Sequence, residues 1–385
     1  MAATSLVDLS PVLHVMLMGL ALALGPITWV WVRNPKAVAT RRLQALTLIT
    51  LFLTFDLVLF GSFTRLTDSG LGCPDWPGCY GNASPSGAHE AISRAQEAMP
   101  SGPVTHAKAW IEMIHRYLAT SVGVLIATLA LATWLERRRS GAGVNPWWPI
   151  ATLAWVCLQG AFGALTVTMK LFPAIVTMHL LGGVVLLALL CRQAVSYAQA
   201  QRGTQPAPVT AGLRMLLVAT AAVIALQVAL GGWVSTNYAV LACAEFPMCQ
   251  GSWWPAMDFS QGFEIWRALG KTAGGDAIPF AALTAIHYAH RLFAVVAFAF
   301  IAALLLQFHR TGVLPRQMRW LAGLAVLQFA TGLSNVVLDW PLVAAVLHTG
   351  GAAALVVVLA WALCESRTRP SVVAREREDA RRLAA

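Results

Sequence analysis

The chain has 385 residues, of which 58% are hydrophobic and 11% charged, with a formal net charge of +10 at pH 7. Soluble domains carry roughly 25% charged residues, so the composition excludes a water-soluble globular protein. Nucleic acid is excluded as the target of the positive charge. The basic residues stand in short clusters between long apolar runs, the pattern by which membrane proteins mark one side of the bilayer.

Apolar runs of about 20 residues cross the roughly 30 Å hydrocarbon layer as helices, which satisfy their own backbone groups there. Nine are predicted: 11–32, 43–64, 109–134, 148–169, 173–194, 212–235, 281–307, 319–338 and 341–363. The first lacks a small-residue cleavage site and is long for a signal peptide, so it is predicted to remain as a helix. The segments following the first, third, fifth, seventh and ninth runs hold 19 of the 27 Lys and Arg residues. That asymmetry predicts a cytoplasmic C-terminus, with the N-terminus and the alternate loops outside.

One outer loop, between the second and third runs, reads GLGCPDWPGCYG and carries Cys73 and Cys79. A second, after the sixth run, reads LACAEFPMCQG and carries Cys243 and Cys249; Asp75/Glu245, Trp76/Phe246, Pro77/Pro247 and Gly81/Gly251 align with the cysteines. In an oxidising compartment these are candidate local disulfides, each worth roughly 2.4 kcal/mol by chain entropy for a ring of about seven residues. Cys157, Cys191 and Cys364 lie in or at the ends of apolar runs and read as small core residues.

The repetition continues along the chain. His115-Arg116 recurs as His290-Arg291 at an offset of 175, while Gln159/Gln328 and His179/His348 both recur at 169. These near-constant offsets predict an all-α membrane protein of two homologous four-helix halves, 43–195 and 212–364. They are joined by a cytoplasmic linker, 196–211, preceded by an extra helix and basic loop, 1–42, and followed by a basic tail, 365–385. Both transporters and enzymes are built this way, so function must come from the repeated side chains.

Ionisable groups inside spans are costly and are functional candidates by default. His115 and His179 stand at similar depth on the second and fourth helices of the first half, and His290 and His348 do so in the second. Two imidazoles approaching from facing helices suit the axial positions of a haem iron, whereas zinc asks for three or four converging ligands. Glu112 precedes His115 by three residues and shares its helix face, where it could handle a proton; the matching position before His290 is His287. Arg65, Arg116 and Arg291 lie at outer helix ends, where they either meet haem propionates or extend to the interface. Most of the tryptophans read as interface anchors.

With RLTDSGLGCPDWPGCYG, EMIHR, MHLLGG, HYAHR and LHTGG in view, residues 43–364 resemble the haem A synthase family. The resemblance implies an oxidoreductase acting on a CH group, converting the C8 methyl of haem o to the formyl of haem a for cytochrome oxidase maturation. It implies haem o as substrate between His115 and His179, haem b as cofactor between His290 and His348, and a catalytic role for Glu112. It further implies a bacterial inner membrane location, and lipid, haem o synthase and oxidase assembly factors as partners, with homo-oligomerisation compatible. The extra N-terminal helix and the long outer loops, 65–108 and 236–280, depart from the family core. Two other classes share part of the pattern: a di-haem electron carrier or haem transporter, which leaves the one-sided Glu112 unexplained, and a membrane thiol–disulfide oxidoreductase, which leaves the histidines unexplained.

Overall fold

The computed structural model describes residues 10–140 and 145–368, so the basic tail from Arg369 onward lies outside the described residues. In chain order the helices are α1 (Ser10–Arg33), α2 (Ala39–Leu66), α3 (His89–Ala98), α4 (His106–Ser140), α5 (Trp147–Thr168), α6 (Pro173–Arg202), α7 (Ala211–Thr236), α8 (Phe259–Gly262), α9 (Phe280–Thr311), α10 (Pro315–Val337) and α11 (Leu342–Cys364). Among the described residues, nine of these helices are long and apolar enough to cross a membrane, and they correspond to the nine predicted runs. The molecule is an all-α multi-pass membrane protein.

Local chemistry sets the helix ends. Pro173 and Pro315 occupy the first positions of α6 and α10, where the missing N–H is harmless. Thr210 caps α7 by accepting from Leu213 N at 3.2 Å, and Gly203 and Gly312 end α6 and α9 in the left-handed region. Within α2, the buried Thr47, Thr50 and Thr54 each donate to the carbonyl four residues earlier at 2.6–2.8 Å. These three hydroxyls are thereby paired within their own helix. The outward faces stay apolar, as at Val32, Val295 and Val343, because lipid rather than water meets them.

Helices α2, α4, α5 and α6 pack in a ring, and α7, α9, α10 and α11 pack in a second ring in the same order. The rings meet along α2, α6, α7 and α11. Polar pairs cross this seam: Ser62 donates to Thr349 Oγ1 at 3.1 Å, and Thr177 and Thr236 share a hydrogen bond at 3.1 Å. At its outer end Arg65 donates to Ser235 O at 2.6 Å and lies 3.9 Å above the Tyr238 ring, and Tyr238 donates to Asp68 at 2.6 Å. Burial pushes the Tyr238 phenol up, which keeps it the neutral donor of that bond. Helix α1 lies along α4, outside the first ring; a methyl at Gly19 would overlap Thr120.

Five short elements were not foreseen. The first outer loop contains α3, whose end is tied to α4 through Ser93 and His106 at 2.9 Å and through the His89 and His106 rings at 4.6 Å. The second outer loop holds a 3-10 turn, Ala239–Ala242, and the short α8. Strand β1 (Ala207–Val209), in the linker between the rings, pairs in parallel with strand β2 (Ser366–Thr368), which follows α11.

Candidate functional site

His115 lies nine residues into α4 and His290 ten into α9, about 14–15 Å along the axis; His179 and His348 each lie six residues into α6 and α11, about 9 Å. Because α4 and α6 are diagonal in the first ring, and α9 and α11 in the second, each pair faces across a bundle interior. His290 and His348 have ring centroids 6.5 Å apart, with planes at 84°. Two imidazoles sharing one metal at about 2 Å per bond, with ring centres about 1 Å beyond each nitrogen, have centres roughly 6 Å apart. The C-terminal pair therefore fits axial ligation of one iron. His115 and His179 lie within electrostatic reach of each other. Among the described residues, no group of three or more His, Cys, Asp or Glu side chains is placed to hold a metal ion.

Opposite each of these histidines stands a glycine that sequence reasoning missed. A methyl at Gly61 would lie 3.0 Å from His115 Nε2, and one at Gly163 would lie 3.4 Å from His179 Cε1. In the second ring a methyl at Gly231 would lie 3.0 Å from His290 Cε1, and one at Gly332 would lie 3.1 Å from His348 Cε1. Each glycine comes from the neighbouring helix, α2, α5, α7 or α10, and keeps the imidazole edge clear. The signal was available in the offsets: Gly61/Gly231 are 170 apart, like Cys73/Cys243, and Gly163/Gly332 are 169 apart, like His179/His348.

The cysteine loops cap the same ends of the rings. Cys73 bonds to Cys79 and Cys243 to Cys249, with Cα atoms 4.9 and 4.8 Å apart. Asp75 accepts from Tyr80 N at 2.6 Å and Gly81 N at 2.7 Å, and Glu245 accepts from Gly251 N in the matching turn. Gly81 and Gly251 take φ of 70° and 71°, a conformation that suits glycine. Gly72 is pressed so close to the α4 backbone at Lys108 and Ala109 that a methyl there would overlap it.

Glu112 ties the first loop to the helix that carries His115. Only 4% exposed, it accepts from Cys73 N at 2.8 Å and pairs with Arg116. Arg116 donates onward to the Asp75 and Pro77 carbonyls at 2.9 and 3.1 Å, and to Gly78 O. Arg291 does the same in the second loop, reaching the Glu245, Met248 and Cys243 carbonyls at 2.8, 3.2 and 2.6 Å. His287 takes the place of Glu112, with its Nε2 3.2 Å from Arg291 Nε. Neither expectation for the arginines describes these contacts: Arg116 and Arg291 bind loop carbonyls, and Arg65 binds the seam. Spacing could not reveal this, because the acceptors are backbone groups of a folded loop.

The family described as cytochrome oxidase assembly protein, COX15-CtaA, matches residues 44–360, which contain both rings, both loops and all four histidines. The chain belongs to this family. Among relatives, a protein named Heme A synthase from Shewanella oneidensis is 37% identical over 318 residues, covering 81% of this chain and 92% of its own. Proteins of the same name from Rhizorhabdus wittichii and Halalkalibacterium halodurans are 25% and 24% identical, covering 82% and 79% of this chain and 91% and 89% of their own. Helix α1 precedes the matched segment, in keeping with its place outside the rings.

Proposed function

We propose that the chain is a haem A synthase, an oxidoreductase that converts the C8 methyl of haem o to the formyl group of haem a. The observation that carries the reading is the pair of facing histidines in each ring, each histidine with a glycine at its imidazole edge, in a chain whose relatives bear that name. In this reading 43–195 is the substrate half, with haem o between His115 and His179, and 212–364 is the cofactor half, with haem b between His290 and His348. The halves stem from an internal duplication. Haem b, when bound, would supply electron transfer.

Converting a methyl to a formyl group through a hydroxymethyl stage, with water as oxygen source, releases four protons and passes four electrons to an external electron acceptor. Glu112, one helical turn outward of His115, is the proton-handling group of the substrate half, while Arg116 and the disulfide loop hold its carboxylate in place. Cys73, Cys79, Cys243 and Cys249 are 0% exposed. A thiol relay needs accessible sulfur, so the loops act as structural lids over the two halves. The chain resides in a bacterial inner membrane with these lids periplasmic and the C-terminus cytoplasmic, where it works beside haem o synthase and oxidase assembly factors.

The test is co-expression with a source of haem o, followed by chromatography of the extracted haems. Hydroxymethyl-haem and haem a are the expected products. Haem o recovered unchanged, with bound haem b intact, overturns the reading in favour of a di-haem carrier.

A further inference from the structure

We propose that Thr331 is a positioning residue for His348, and that Phe162, at the matching place of the first ring, leaves His179 unlocked, so that the substrate half is the looser of the two haem sites. This rests on the haem-ligand reading above. Thr331 Oγ1 donates its one proton to Leu327 O at 2.7 Å, so towards His348 Nδ1, 3.0 Å away, it can only accept. The proton therefore sits on Nδ1, and Nε2 keeps the lone pair that ligation requires. Outer partners of this kind fix tautomer and ring orientation and raise the basicity of the ligand.

Thr331 directly precedes Gly332, the glycine at the His348 edge, and Phe162 directly precedes Gly163, the glycine at the His179 edge. Phenylalanine offers no acceptor, and His179 Nδ1 is buried without a hydrogen-bond partner among the described residues. The backbone carbonyls of Gln159 and Gln328 stand in matching places beside His179 and His348, so they cancel in the comparison, and the Thr331 hydroxyl, 3.0 Å from His348 Nδ1, remains as the difference.

The other ligand pair repeats the contrast. The Gln227 amide lies 3.1 Å from His290 Nδ1, and the position 170 residues earlier is Leu57. The Gln227 amide nitrogen also lies 3.4 Å from His290 Nε2 and donates to His290 O at 3.2 Å, so it sets a polar group against the His290 ring that Leu57 cannot supply in the substrate half, while the tautomer lock is the work of Thr331. A resident cofactor is retained by such locks, whereas a substrate that must leave as product is not.

The experiment uses the purified, haem-loaded full chain and three variants, Thr331→Val, Thr331→Ser and Phe162→Thr. Haem transfer to apomyoglobin, midpoint potential and low-spin spectrum are followed for each. Thr331→Val is expected to lose haem b about 10-fold faster, at the low end of the range for lost outer partners, with a higher midpoint potential; Thr331→Ser restores both. Phe162→Thr is expected to slow release from the substrate half by a similar factor. Parental rates and potential in Thr331→Val, or parental release in Phe162→Thr, overturn the inference. His348→Ala serves as the reference: loss of haem b there with an unaffected Thr331→Val sinks the inference alone, whereas a parental spectrum in His348→Ala removes the ligand reading itself.

Discussion

Glu112 ties the loop to its helix, and in the proposed function it also handles a proton; a single substitution can separate the two. Removing the carboxylate leaves the Arg116 guanidinium buried without its partner, and breaking a buried pair from one side costs about 3–5 kcal/mol. Glu112→Ala is therefore expected to damage the lid as well as the chemistry. Glu112→Gln keeps an acceptor for Cys73 N and is expected to retain haem binding while haem a formation falls at least tenfold, read by chromatography of extracted haems. Normal haem a output from that variant would remove the proton role. The glycines make a second prediction at this scale: Gly231→Val fills the His290 edge and should deplete haem b from the cofactor half, whereas Gly61→Val should spare it, as measured by haem-to-protein ratio. The histidines were legible because an ionisable group inside an apolar run stands out. The offset of Gly61 and Gly231 was there to be read, but glycine is common in membrane helices and its purpose shows only against a side chain from another helix.

At the scale of elements, each outer loop is closed twice, once by its disulfide and once by the arginine that follows the histidine. The Cys73→Ser, Cys79→Ser double variant is expected to lose about 2 kcal/mol of stability and still synthesise haem a; complete loss of synthesis would restore a redox role to the pair. Arg116→Ala is expected to do more harm than opening the disulfide, because the Asp75, Pro77 and Gly78 carbonyls and the Glu112 carboxylate lose their donor together. Faster proteolysis of the 65–108 loop than in the cysteine variant checks this. The spans and the twin loops could be read from length and spacing, which are local properties. The helix α3 was passed over because its ten residues include just one buried side chain, Ile92, and so form no apolar run, although its Ala, Glu, Arg and Gln residues favour a helix.

At the scale of the whole molecule, the cofactor half is expected to answer to its own ligands. His290→Ala or His348→Ala should deplete bound haem b while the seam at Ser62, Thr349, Thr177 and Thr236 still holds the rings together; an unchanged bis-histidine spectrum counts against the pair. The nine membrane-spanning helices were readable from the length and hydropathy of the apolar runs. The seam was not, because one threonine among apolar residues gives no sign of which helix it meets. The pairing of β1 with β2 has its own consequence. Ala207 N donates to Glu365 O at 2.7 Å, so the point where the chain enters the second ring and the point where it leaves are hydrogen-bonded neighbours. That ring is a parcel with adjoining ends, and a gene cut in the 203–206 stretch should yield two polypeptides that reassemble without their covalent join.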